Sequence, residues 1–164
     1  ARHTPLDKET AMSRIEARLA DLGITLPTPN APVANYIPYT EVNGLIHVSG
    51  QVSLDANGGI KGKVGGDLSI EQGQAAARLC GLSLLAQLKA ACGGDLDRLV
   101  RVVKLGGFVN AAPGFVAIPA VINGCSDLMV EVLGDAGRHA RSAVGVFELP
   151  MGFAVEVDGV FAIT

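Results

Sequence analysis

The chain switches between two hydrophobic periods, and the switches lay out its elements. Met12, Ile15, Leu19 and Leu22 recur at three- and four-residue steps and stop at Gly23, which predicts an amphipathic helix laying one stripe on the main body. Thr4-Pro5-Leu6-Asp7 upstream has the form of an N-cap with proline at the first helical position. Residues 24–35 contain Pro27, Pro29 and Pro32 and read as an extended connector. Residues 35–41 and 45–50 are β-rich around Asn43-Gly44, a dipeptide suited to a type I′ turn, and predict a hairpin. Ser69-Ile-Glu-Gln72 is a capping box opening an Ala- and Leu-rich helix that runs to Cys92, where Gly93-Gly94 stop it. Residues 99–109, carrying Val100, Val102, Val103 and Leu105, predict a strand. Val121, Cys125, Leu128 and Val132 mark a helix ending at Gly134.

The last two stretches have period two. Between 141 and 149 the odd positions are Arg141, Ala143, Gly145, Phe147 and Leu149, so the apolar face of a strand begins with a guanidinium. From 154 to 163, Val155, Val157, Phe161 and Ile163 alternate with Glu156 and Asp158, which places both carboxylates on the face opposite the apolar one. Spacing alone leaves Arg141 either a surface cation or an anion-gripping fork, and Glu156 either a solvated residue or a working acid. Strand, helix, strand, helix and two strands make one α+β sheet with two right-handed crossovers and helices stacked on a face.

Composition narrows the possibilities. A 164-residue chain with 49% hydrophobic and 18% charged residues is one domain able to bury a core. Its mean hydropathy of +0.38 is high, yet Gly, Pro or a charge interrupts every apolar run, so no membrane span is predicted. The apolar excess points to surface buried between subunits, hence an oligomer. A net charge of −3, no clustering of Lys and Arg, and 4% aromatics argue against nucleic acid as a partner. Cys80, Cys92 and Cys125 are odd in number and far apart, which predicts buried thiols in a reducing, cytoplasmic setting, and the N-terminus carries no export pattern.

The chemistry is narrowed in the same way. His3, His47 and His139 are isolated and no ligand spacing joins them to the cysteines, so no metal is expected, and His47 reads as a core or interface histidine. Gly58, Gly59, Gly62, Gly65 and Gly66 fail the spacing of a phosphate loop, because Val64 follows Gly62-Lys63 and Asn57 stands where a glycine is required. A bulged or mobile connection with close backbone approach fits them better. Without a nucleophile motif or cofactor motif, what remains is a guanidinium suited to a small carboxylate and acids able to polarise water.

Asn35-Tyr-Ile-Pro-Tyr39, Val48-Ser-Gly-Gln51, Phe108-Val-Asn110, Ala140-Arg-Ser142 and Leu149-Pro150 before Val155-Glu-Val157 resemble the RidA/YjgF (L-PSP) family in order and spacing, from about Ala34 onward. Gly73-Gln-Ala-Ala-Ala-Arg78, Val121-Ile-Asn-Gly124 and Gly137-Arg-His-Ala-Arg-Ser142 place the chain nearer a longer subgroup of that family. The resemblance implies residues 1–33 as N-terminal helix and connector and residues 34–164 as a RidA-like domain. It implies a chorismate-mutase-like βαβαββ core, a mixed sheet with two helices on one face, whose last strand inserts between the first two core strands. It also implies a homotrimer whose sheets form a barrel, with a small-ligand cleft at each subunit interface. In the family's deaminases the residue matching Arg141 holds the carboxylate of a 2-imino acid, and the acid matching Glu156 positions water that releases the 2-keto acid and ammonia. Tyr39 and Asn123 match cleft residues, the backbone around Ser49 and Gly50 lies near the ligand, and Ala143 stands where a cysteine is frequent. No cofactor is implied. The competing expectation is a trimer that binds a small carboxylate or a protein partner without turnover; ribonuclease action is the least favoured.

Overall fold

The computed structural model describes residues 13–29, 31 and 34–164. Helix α1 spans Arg14–Asp21, capped by Ser13, whose hydroxyl accepts from the Glu16 amide at 3.2 Å. Thr4-Pro5 and Met12 lie outside the described residues, so the helix is seen from its Ile15 and Leu19 stripe onward. Asp97 ties it down, its two carboxylate oxygens accepting from the Arg14 and Ile15 amides at 2.8 and 3.0 Å. Those amide bonds hold the Asp97 carboxyl below the usual carboxylate range.

Strands β1 (Tyr39–Val42) and β2 (Leu45–Val52) form the predicted hairpin, with φ of 52° at Asn43 and 77° at Gly44. Strand β1 is shorter than the sequence pattern suggests, because regular pairing begins only at Tyr39 opposite Val48. Helix α2 (Ile70–Ala91) has both halves of its capping box and buries Leu84, Leu85 and Leu88. Strand β3 (Leu99–Asn110) leads to helix α3 (Ile118–Leu133), which ends at Gly134 with φ of 63°. Strands β4 (Ala140–Val146) and β5 (Val155–Ile163) complete the chain. Strand β4 ends before Phe147, which is 81% exposed, so the alternation read to Leu149 outruns the strand.

The sheet order is β1-β2-β5-β3-β4, with β5 antiparallel to both neighbours and β3 parallel to β4. The last strand thus lies between the first two core strands, as the βαβαββ arrangement requires. Helices α2 and α3 pack on each other and on one face of the sheet. On that face Val155, Val157, Phe161 and Ile163 are buried, while Glu156 and Asp158 stand half-buried on the other. Gly107 permits the close approach of α3, since a Cβ there would lie 2.7 Å from Ile122 carbons. The glycine-rich stretch also makes close contacts, with Gly65 against the Phe115 ring. His47 is exposed on the face away from the helices, so its core placement does not hold within one chain. No helix among the described residues is long and apolar enough to cross a membrane.

Candidate functional site

The singled-out residues gather into two groups on opposite faces of the sheet. Arg141 and Ala143 on β4 pair with Leu105 and Gly107 of β3, residues of the helix-covered face. Arg141 therefore reaches toward α3. Its Nη1 donates to Asn123 Oδ1 at 2.8 Å and to Ser126 Oγ at 3.1 Å, and its Nη2 reaches the Pro119 carbonyl at 3.4 Å. All three acceptors are neutral, and no ion pair among the described residues includes Arg141. The guanidinium is oriented without its charge being cancelled, which suits it to receive an anion.

A second layer fixes that orientation. His139 Nδ1 lies 2.6 Å from the Gly137 carbonyl, which can only accept, so Nδ1 of the neutral ring carries the proton. Nε2, 2.8 Å from Ser126, then accepts the serine proton, leaving Ser126 Oγ to accept from Arg141. Ser126 carries no motif of its own in the sequence, and its one signal is its place three residues after Asn123 on one helical face. Cys125 beside it is fully buried, and burial pushes its thiol up to about 12 against the opposing Arg141 charge, so it is no nucleophile.

The other group surrounds Glu156. Strand β2 carries one extra residue between Val48 and Gln51 relative to β5, and this bulge brings Gly50 beneath the Glu156 side chain. A Cβ on Gly50 would lie 2.9 Å from both Cδ and Oε2 of Glu156. Ser49 is fixed by its amide and hydroxyl, which donate to the Pro38 and Ile37 carbonyls at 2.8 Å each. Ser49, Gly50, Gln51, Pro150, Met151 and Glu156 line a cleft of about 210 Å³. Burial raises the Glu156 carboxyl above the ordinary glutamate range, and the neighbouring Asp158 charge adds to the effect. Met151 adopts φ of 53°, a left-handed conformation that costs a branched or long side chain about 1–2 kcal/mol, and it sits at the mouth of this cleft.

Tyr39 joins neither group: its ring packs partly buried against the core beside Val48, and Tyr36 lines the Glu156 cleft instead. Arg141 and Glu156 are separated by β3 as well as by the thickness of the sheet, because Glu156 pairs with Phe108 on the open face. One chain cannot bring them to a common ligand. No group of three or more His, Cys, Asp or Glu among the described residues could hold a metal ion.

The model of the family described as "YjgF/chorismate_mutase-like, putative endoribonuclease" matches residues 16–157. Protein TCP17 of Trypanosoma cruzi is 50% identical over 150 residues, 90% of this chain and 93% of that protein. The crystal structure of Atu1372 from Agrobacterium tumefaciens is 46% identical with a TM-score of 0.86, covering 92% of each chain. A Shewanella oneidensis structure solved under the endoribonuclease name is 33% identical with a TM-score of 0.87, covering 91% of this chain and 99% of its own. RidA from a Psychrobacter species is more distant, 25% identical with a TM-score of 0.57, covering 85% of this chain and 98% of its own. With a model match across most of its length and relatives of this identity, the chain belongs to the RidA/YjgF family.

Proposed function

We propose that this protein hydrolyses small 2-imino acids to 2-keto acids and ammonia, in a site shared between two protomers of a homotrimer. The observation that carries the reading is the pair of half-sites: an oriented, uncompensated guanidinium on one face and a carboxyl of raised pKa in a cleft on the other. Arg141 of one protomer, held by Asn123 and Ser126 and flanked by Ala143, grips the substrate carboxylate. Glu156 of its neighbour, with Ser49 and Gly50, holds water against the imine carbon. Exposed Val42, Leu45 and Val144 give the open face an apolar surface suited to burial between such subunits.

The chemistry needs only these groups. An iminium carbon is already electrophilic, so the requirement is an activated water. As its oxygen bonds to the carbon, water gives one proton to Glu156, which passes it to the nitrogen. The freed Glu156 carboxylate then takes the remaining hydroxyl proton as the C–N bond breaks, so the carbonyl forms, ammonia leaves, and the proton on Glu156 is released to solvent. An ionised carboxylate whose pKa is raised above the ordinary glutamate range is a stronger base than an ordinary glutamate. Ribonuclease action has less support, since the net charge of −3 gives a phosphate backbone little attraction.

Generating 2-iminopropanoate in situ with an amino-acid oxidase and following ammonia tests the proposal. Release faster than the spontaneous rate with wild type, and loss of that acceleration in Arg141→Ala, is the expected result. A protein of monomer mass, or equal rates for both forms, would remove the shared site.

A further inference from the structure

Strand β2 outruns β1: Tyr39 pairs with Val48 and the Ser49 amide still donates to the Pro38 carbonyl, so residues 50–52 form an open edge. Two compartments meet around that edge. One holds Glu156; the other, about 300 Å³, lies between α2 and the connector at residues 27–29. Gln51 and Gln87 line both, which makes them the common wall. Gln51 is fixed there by its Nε2 donating to the Ser49 carbonyl at 2.9 Å, and Gln87 is 2% exposed on α2.

Resting on the proposal that Glu156 is the reaction centre, we infer that this second compartment receives the substrate's side chain, and that the protein prefers 2-imino and 2-keto acids with a long, uncharged side chain. The walls are apolar where a chain would lie, supplied by Pro27, Pro29, Leu54 and Ala86. Asp55 is the one charged residue lining it among those described, and its Oδ1 accepts from the Asn57 and Gly59 amides at 2.8 Å each. An acidic tail would therefore meet like charge and find no cation. Size agrees: water occupies about 30 Å³ per molecule, so the compartment has room for roughly ten water-sized groups. A methyl side chain leaves that space to solvent, whereas each methylene buried in it strengthens binding about fourfold.

Isothermal calorimetry on the intact protein with 4-methyl-2-oxopentanoate, pyruvate and 2-oxoglutarate reads the preference directly. The branched acid is expected to bind at least tenfold more tightly than either of the others. Ala56 lines the compartment from an exposed position, so Ala56→Phe adds bulk there without entering the core, and the ratio of branched acid to pyruvate should fall at least fivefold. Pyruvate binding as tightly as the branched acid would overturn the inference. Ammonia release from leucine- and alanine-derived imines separates the two ideas: a binding preference without release keeps the side-chain compartment and removes the deaminase, while release without a preference does the reverse. Failure of every keto acid to bind overturns the side-chain compartment, and failure of ammonia release as well overturns the deaminase with it.

Discussion

Gly50→Ala shifts the reaction centre while leaving Arg141 and the Glu156 carboxyl chemically intact. The glycine lies in the β2 bulge at an ordinary φ, so alanine is conformationally tolerated there. Its methyl would stand 2.9 Å from the Glu156 carboxylate carbon and Oε2 and 3.1 Å from Cγ, against an ordinary contact of roughly 3.4 Å or more. The carboxylate must retreat by about half an ångström, and it can, because it is the far end of a flexible side chain. Shifting a side chain off its rotamer costs about 0.5–1.5 kcal/mol, so the loss of stability should be small. Activity should suffer more: a misplacement of about 1 Å costs on the order of a hundredfold, so half that distance should cost on the order of tenfold. Coupling ammonia release to glutamate dehydrogenase and reading NADH loss gives kcat/KM, while a thermal melt of the same sample reports folding. A variant with wild-type kcat/KM and an unchanged melt would show that the position of Glu156 does not matter to the reaction.

Arg141→Ala should weaken keto-acid binding by about 3 kcal/mol, on the order of a hundredfold, which is the lower range for losing two charge-assisted hydrogen bonds; a change under threefold by calorimetry would remove the clamp. Glu156→Gln should alter how stability depends on pH. The folded-state pKa of Glu156 lies above its ordinary value of 4.5, so in the window above 4.5 the folded protein binds more protons than the unfolded chain. This group's contribution is therefore most favourable below that window and declines as pH rises through it. The variant should lose that part of the slope in urea titrations run from pH 4 upward, and parallel curves for the two proteins would count against the buried acid.

Much of the fold is legible locally. The capping box at Ser69, the Asn43-Gly44 turn and the alternation of Val155 to Ile163 each specify an element through neighbours a few residues away. Strand order is different, because a period of two says which face is apolar but not which strand lies alongside. The insertion of β5 between β2 and β3 came from family likeness, and the early end of β4 is invisible in a pattern that Phe147 and Leu149 continue. At the candidate site, the parity of Arg141 and Glu156 is readable within each strand, yet their opposition across the sheet depends on registers that both make with β3. Gln51 stands in the Val48-Ser-Gly-Gln51 motif without a role that the motif assigns, and Gln87 lies inside an Ala- and Leu-rich helix with no motif at all. Only the path of the connector over α2 makes them the wall of a compartment.

The opposed placement of Arg141 and Glu156 has a genetic consequence under the shared-site reading. A chain lacking the arginine still offers an intact acid, and a chain lacking the acid still offers an intact arginine. Two crippled alleles produced in one cell would therefore rescue one another, because with equal amounts and random mixing about one quarter of subunit boundaries in closed rings would join the two sound halves.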